Sequence, residues 1–104
     1  MSEVKRVGRQ AVFVTVFYPK LGFEALLLDQ LRAWIKKSRD QAGCRIFDLY
    51  RRPGNSAALY LHEVWENWNS FEAHASSFQT SRFRADVLRY LNRPIEVVQV
   101  EEIS

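Results

Sequence analysis

The spacing of hydrophobic positions changes several times along the chain, and each change indicates a new element. Apolar residues fill almost every position of Ala11–Tyr18, which is typical of a strand buried on both faces. In the segment 23–39, Leu27, Leu31 and Trp34 then recur at the spacing of one helix face. The basic end of this segment suits the negative end of a helix dipole. We therefore predict a buried strand followed by an amphipathic helix.

The rest of the chain repeats this alternation of strands and helices. Asn67 has a side chain that can cap a helix by accepting a backbone N–H bond, and Pro94 is expected to end the last helical pattern. The pattern predicts strands over 44–52, 58–65 and 95–103, and helices over 68–76 and 81–91.

The order β-α-β-β-α-β predicts the α+β class and a ferredoxin-like βαββαβ fold with a four-stranded antiparallel sheet. The first and third strands lie centrally in that topology, and they are the two that are apolar on both faces. The two helices can cover only one face of such a sheet. The simplest cover for the other face is a second copy of the chain, so we expect a homodimer in which two sheets form a dimeric α+β barrel.

Length and composition limit the broad class of protein. The 104 residues are 47% hydrophobic and 26% charged, which indicates a globular chain. We predict a flexible N-terminal segment over 1–10 and a single domain over 11–104. No apolar run approaches the roughly 20 residues of a membrane span, and the N-terminal segment lacks the pattern of a signal peptide, so we expect a cytoplasmic protein without a membrane partner. The lone cysteine, Cys44, excludes an internal disulfide.

Several short motifs carry a resemblance to a known family. The first strand enters the turn "PKLG", "SRDQAGC" precedes the second strand, and "TSRFRA" lies in the last helical region. Glu63 and Trp65 end the third strand, and His74 follows nine residues after Trp65. From about Val12 to Ile103 the chain resembles the antibiotic biosynthesis monooxygenase family, small dimeric α+β-barrel proteins that include quinol monooxygenases.

The resemblance implies a cofactor-independent monooxygenase that oxidises a quinol or polyphenol-type aromatic substrate with O2. The substrate would supply the electrons, so neither flavin nor metal is expected. An alternative stays open: a non-catalytic dimeric protein of the same fold that binds a small aromatic or hydrophobic ligand as a sensor or carrier. A nucleic-acid module is not expected, because the third strand lacks the glycine and basic residues of RNA-recognition domains, and the net charge of +3 is dispersed along the chain.

His74 is the main candidate for catalysis, as a general base. On a helix it would lie against an apolar wall, where desolvation keeps an imidazole neutral and able to accept a proton. The other interpretation is a packed histidine that joins the helix to the sheet.

Glu63 and Trp65 are the other two catalytic candidates, and they share one face of the third strand. If that face points at the helices, Trp65 would line the pocket and Glu63 could bond His74 or a substrate hydroxyl. If it points away, both would lie in the dimer interface, where Arg45 or Arg51 could pair with the carboxylate.

Aromatic side chains are expected to line the substrate pocket, since apolar pockets with a few polar groups suit a flat phenolic ligand. The predicted pocket residues are Phe13, Thr15, Phe17, Tyr50, Phe71, Phe78 and Phe83. We predict that His62 lies on the opposite face of its strand with a structural role, that Cys44 is a small buried hydrophobe, and that the chain has no metal site.

Two departures from related patterns bear on these predictions. Haem-degrading relatives use an Asn, a Trp and a His where this chain has Thr15, His74 and a residue near Arg84, so haem degradation is not expected. Residues Asp40, Gln41 and Ala42 stand where the family has Glu-Pro next to the glycine. We expect this difference to alter a loop and not the chemistry.

Overall fold

The structure is a computed structural model that describes residues 9–55 and 57–104. Residues 1–8, which make up most of the predicted flexible segment, lie outside the described residues. The described part contains β1 (Ala11–Phe17), α1 (Glu24–Arg39), β2 (Cys44–Tyr50), β3 (Leu59–Trp65), α2 (Trp68–Ala75), α3 (Phe78–Val87), a 3₁₀ turn (Leu88–Tyr90) and β4 (Glu96–Val100). This order confirms the predicted α+β fold. Over the described range, no helix has the length and apolar character needed to span a membrane.

The four strands form one antiparallel sheet in the order β2-β3-β1-β4. β1 and β3 are therefore the central pair, as their apolar patterns predict. Phe13 pairs with Glu63, and Thr15 pairs with Leu61. Because side chains alternate along a strand, these four project from the same face of the sheet, the one that the helices cover. We call it the helix face.

The hydrophobic core lies between the helix face and the three helices. From α1, the predicted stripe of Leu27, Leu31 and Trp34 is buried in this core. The Trp34 ring packs edge-on against Phe47 of β2, with 5.0 Å between ring centroids. Core burial of this kind supplies most of the stability of an amphipathic helix.

The connection between α2 and α3 differs from the prediction. The predicted cap at Asn67 is confirmed, because its side chain accepts a 2.8 Å hydrogen bond from the backbone N–H of Ser70. α3, however, begins at Phe78 and not at Ser81. The Ser77 hydroxyl accepts from the Thr80 N–H at 3.3 Å and donates to the His74 carbonyl at 2.8 Å. This short polar cap allows two helices where the hydrophobic pattern alone left a longer gap.

The opposite face of the sheet, which we call the open face, carries three cross-strand rows of side chains. From β2 to β4 the rows are Ile46, Val64, Val12 and Val100; Asp48, His62, Val14 and Val98; and Tyr50, Tyr60, Val16 and Glu96. Most of these side chains are apolar. Tyr50, Val98 and Val100 are 56%, 40% and 39% exposed. The helices therefore leave a largely apolar face uncovered, as the pattern predicts, while the dimer itself stays a prediction.

Candidate functional site

A small cavity lies on the helix face, between β1, β3, α2 and α3. Its volume is about 30 Å³, room for about one water molecule. The lining residues are Thr15, Phe17, Trp34, Glu63, Phe71, His74, Ala75, Thr80, Phe83, Arg84, Ile95 and Val97. Arg84 and Val97 are exposed, so the cavity opens to solvent beside β4.

Glu63 and Trp65 point at the helices, which is the first of the two predicted orientations. Glu63 is 4% exposed, and its Oε1 accepts a 2.8 Å hydrogen bond from the Trp65 indole N–H. Burial raises the pKa of the Glu63 carboxyl. Three contacts oppose this rise in part: the Trp65 hydrogen bond, the Arg84 charge and a hydrogen bond from Thr15. The site therefore holds a carboxyl group that keeps its proton to higher pH than an exposed glutamate.

His74 lies inside a box of aromatic rings. Its ring centroid is 4.6 Å from that of Trp65, 5.3 Å from Phe47 and 5.5 Å from Trp34. Only 3% of the residue is exposed. Burial, aided by the positive charge of Arg84, lowers the pKa of His74 to about 4, so the imidazole is neutral at pH 7.

The two ring nitrogens of His74 have different surroundings. Nδ1 lies 2.7 Å from Oε1 of Gln41, a hydrogen-bond distance. Nε2 lies 3.9 Å from Oε1 of Glu63, too far for a direct hydrogen bond. Nε2 therefore lies near the Glu63 carboxyl group but is not hydrogen-bonded to it. His74, which carries this nitrogen, lines the cavity.

Several predicted pocket residues do lie at this cavity. Thr15, Phe17, Phe71 and Phe83 line it together with Glu63 and His74. Phe13 lies behind the lining, stacked on Phe71 with 4.1 Å between centroids. Trp65 is fully buried and reaches the site through its contacts with Glu63 and His74.

Two predicted pocket residues lie elsewhere. Tyr50 pairs with Tyr60 on the open face, because an even number of positions separates it from Ile46 and Asp48 on β2. Phe78 is the first residue of α3, and it is 79% exposed. Their aromatic side chains were the reason for placing them in the predicted pocket, but strand alternation directs Tyr50 away from it and the start of α3 directs Phe78 away.

The predicted cationic partners of Glu63 are also corrected. Arg45 forms a 2.9 Å ion pair with Glu66, and Arg51 forms a 2.7 Å ion pair with Glu24. Both predictions assumed that Glu63 lies in a dimer interface. On the helix face, burial raises the carboxyl pKa, and the Trp65 hydrogen bond and then the Arg84 charge oppose that rise in part.

Sequence reasoning missed three residues that shape the site: Trp34, Gln41 and Arg84. Trp34 belongs to the predicted core stripe, and its indole N–H donates to the Thr80 hydroxyl at 3.1 Å. Arg84 lies one helical turn after Thr80, so the spacing of four residues could have placed both on one helix face. Gln41 lies in a loop, where no periodicity indicates which way a side chain points.

The other reactive side chains lie outside the cavity. His62 lies on the open face opposite Asp48, as its strand position predicts. Cys44 is half-buried, and burial raises the pKa of its thiol, so it stays protonated at neutral pH. Among residues 9–55 and 57–104, no group of three or more His, Cys, Asp and Glu side chains is arranged to hold a metal ion.

Comparisons with known proteins agree with this architecture. The chain is 31% identical over 81 residues to Rv0793 of Mycobacterium tuberculosis, a candidate monooxygenase. The aligned region covers 78% of this chain and 79% of that protein. The solved structure of Rv0793 superimposes with a TM-score of 0.84 at 26% identity, over 91% of this chain and 96% of that one.

A second solved structure shares the fold at lower identity. PA3566 from Pseudomonas aeruginosa has a TM-score of 0.84 at 22% identity, over 95% of this chain and 99% of that one. The sequence profile of the antibiotic biosynthesis monooxygenases matches residues 11–86, which include β1, β3, Glu63 and His74. The chain belongs to the antibiotic biosynthesis monooxygenase family.

Proposed function

We propose that this protein is a monooxygenase that oxidises a quinol or polyphenol-type aromatic substrate with O2, without flavin or metal, and that His74 is its general base. The observation that supports the proposal is the state of His74. Its imidazole is buried and neutral, its Nε2 has no direct hydrogen bond to Glu63, and the residue lines an aromatic cavity. In this reaction the quinol gives a hydroxyquinone, one oxygen atom enters the product, and the other leaves as water.

The imidazole would take a proton from the substrate hydroxyl as the ring becomes electron-rich enough to reduce O2. Burial keeps His74 unprotonated at the cost of basicity, since a base works best when its pKa is near the working pH. One charge offsets this weakness, because the Arg84 guanidinium at the cavity mouth favours the phenolate.

A ring-sized substrate requires the cavity to widen. The present volume of about 30 Å³ is far below the roughly 300 Å³ of an ordinary small-molecule site. The exposed side chains at the mouth, Arg84 and Val97, are the ones with room to move, since Trp65 and Phe47 are fully enclosed in the core. The proposal therefore includes movement of α3 or of side chains beside β4 when substrate binds.

The proposed partner is a second copy of the chain, seated on the open face. The three rows of that face are mainly valine, isoleucine and tyrosine, and face-to-face pairing of two such sheets would remove them from water. The polar members include Asp48 and His62, and a two-fold axis would place the same face of each copy against the other.

Oxygen uptake by purified protein with no added cofactor tests the reaction. We expect consumption of O2 with at least one member of a panel of benzo- and naphthohydroquinones and catechols, and a loss of about 100- to 10,000-fold in His74→Ala, the usual contribution of a general base. Leu88→Ala, an exposed apolar exchange beyond α3, serves as the matched control and should keep wild-type rates. Absence of uptake with every quinol, or full activity of His74→Ala, would contradict the proposal.

The small cavity also supports a second candidate, a non-catalytic protein that binds a small ligand. A histidine 3% exposed inside an aromatic box is consistent with a purely structural role. Titration with the same aromatic compounds, followed by Trp fluorescence, separates the two candidates. Saturable binding without oxygen uptake favours the binding protein.

A further inference from the structure

The side chain at hydrogen-bond distance from the His74 ring belongs to a loop and not to the cavity wall. Oε1 of Gln41 lies 2.7 Å from Nδ1 of His74. An amide oxygen can only accept, so the ring nitrogen that faces it must carry the proton. We propose that Gln41 is a positioning residue that holds the His74 proton on Nδ1 and so leaves the Nε2 lone pair facing Glu63. This inference deepens the function of His74 as a base and rests on that proposed function.

The backbone of Gln41 is held on both sides. Its N–H donates to the Ser38 carbonyl at 3.1 Å, and its carbonyl accepts from the Cys44 N–H at 3.2 Å. The loop between α1 and β2 therefore continues the hydrogen bonding of the helix into the strand. A side chain on such a backbone starts from a fixed point, which limits the entropy lost when it bonds His74.

The same loop is fastened to the start of α2, the helix that carries His74. The Gly43 carbonyl accepts a 2.7 Å bond from the Glu66 N–H, directly before that helix. Gly43 has a φ of +85°, and a Cβ there would collide with the Ser70 side chain. Only glycine allows this close approach. Gln41 and His74 are thus held by two segments that are locked to each other.

The neutrality of Gln41 matters for the proton chemistry, so this proposal departs from the expectation that the difference from the family pattern at residues 40–42 alters only the loop. The titratable carboxyl group that faces His74 is Glu63 from β3, and the positive charge is Arg84 from α3. The partners from α1 and β2, Trp34 and Phe47, are uncharged rings. A carboxylate in place of Gln41 would also accept a hydrogen bond from the Nδ1–H group, but its negative charge would favour the imidazolium. Gln41 therefore fixes the tautomer without adding a charge that would protonate the base.

Nitrogen NMR of the histidine rings tests the assignment without any turnover. Two-bond ¹H–¹⁵N spectra distinguish a protonated from an unprotonated ring nitrogen, and His74→Gln identifies the signals of this ring among the two histidines. For wild type at pH 7 we expect a protonated Nδ1 and an unprotonated Nε2, the reverse of the tautomer that a histidine in water prefers. An Nε2–H tautomer in wild type would overturn the proposal.

Substitutions at Gln41 separate positioning from packing. Gln41→Leu removes the acceptor at similar volume, and Gln41→Met does so with an unbranched chain should leucine disturb the loop. We expect both to move the His74 population toward Nε2–H and to lower kcat/KM about 10- to 100-fold, by analogy with the loss of an outer hydrogen-bond partner of a metal-bound histidine. Gln30→Leu, the same exchange in a separate groove between α1 and α3, is the control and should change neither. An unchanged His74 spectrum in both Gln41 variants would overturn the proposal.

Gln41→Glu gives the complementary result. The carboxylate keeps the Nδ1–H tautomer but raises the pKa of His74, so the acidic limb of the kcat/KM profile should move to higher pH. An unmoved titration of His74 would contradict the role assigned to position 41. Because the spectra need no substrate, a protein with the expected tautomer but no oxygen uptake would refute the proposed reaction and leave the positioning role intact.

Discussion

The two faces of the sheet each place one histidine beside one carboxylate, yet the two pairs differ in almost every physical respect. His74 lies near Glu63 on the helix face, where both are buried and enclosed by aromatic rings. His62 lies opposite Asp48 on the open face, where both are half-buried and Asp48 has a 2.9 Å ion pair with Arg39. The same two chemical groups, an imidazole and a carboxyl, thus occur in a buried and in a half-buried setting.

This difference shows that environment assigns the role of a titratable group. Desolvation raises the pKa of Glu63 and lowers that of His74, so each is driven toward its neutral form. On the open face, Asp48 keeps a cationic partner and solvent contact. Chemistry is therefore expected on the helix face and association on the open face.

A charge placed on the open face should have the largest effect, because it should prevent formation of the proposed dimer. Val98→Asp changes a residue that is 40% exposed in the single chain and lies beside Glu96 on β4, so the folded monomer tolerates it. In the proposed dimer it would bury a carboxylate in each copy at a cost of several kcal/mol per ion. We expect wild type to elute as a dimer and Val98→Asp as a folded monomer in size-exclusion chromatography with light scattering.

Ala25→Asp, which adds the same charge at an exposed position near the start of α1, is the control and should stay dimeric. A monomeric wild type would refute the second copy as the partner of the open face.

Truncation of an aromatic residue should affect the two faces unequally. Trp65→Ala removes a fully buried ring from the helix face and should lower the free energy of unfolding by about 3–5 kcal/mol. Tyr50→Ala, on the open face and 56% exposed, should change it by only about 0.5 kcal/mol in the monomer. Urea unfolding of both variants in the Val98→Asp background measures this without dimer dissociation. Equal losses would mean that the faces are equally packed.

The pH dependence of stability should distinguish the two groups within the helix-face pair. The pKa of His74 falls from 6.5 in the unfolded chain to about 4, so the unfolded state binds the extra proton between these values. Stability from this group therefore rises with pH over that window, by about 3 kcal/mol at most. The pKa of Glu63 is raised above 4.5, so the folded state binds its proton more tightly and stability from this group falls as pH rises above 4.5.

These opposite slopes can be separated by substitution. His74→Gln should remove the rise, and Glu63→Gln should remove the fall and so steepen the rise that remains. Urea unfolding at several pH values from 4 to 7 gives both slopes. A wild-type profile that His74→Gln leaves unchanged would show that the imidazole is not desolvated as the structure indicates.

The sequence alone was enough to predict the element order, the central positions of β1 and β3, and the presence of an uncovered apolar face. These follow from local periodicity and from the rule that one layer of helices covers one side of a sheet. It also determined that Glu63 and Trp65 share a face, because alternation along a strand needs no tertiary information.

The three-dimensional packing was needed to show which face points at the helices and which side chains meet there. Gln41 and Arg84 reach His74 and Glu63 from segments far apart in the chain, and no local pattern encodes such a meeting. Tyr50 and Phe78 have the residue types of the pocket, but strand direction and helix start turn them outward. Burial also set the proton affinities, since desolvation depends on everything packed around a group and not on its neighbours in sequence.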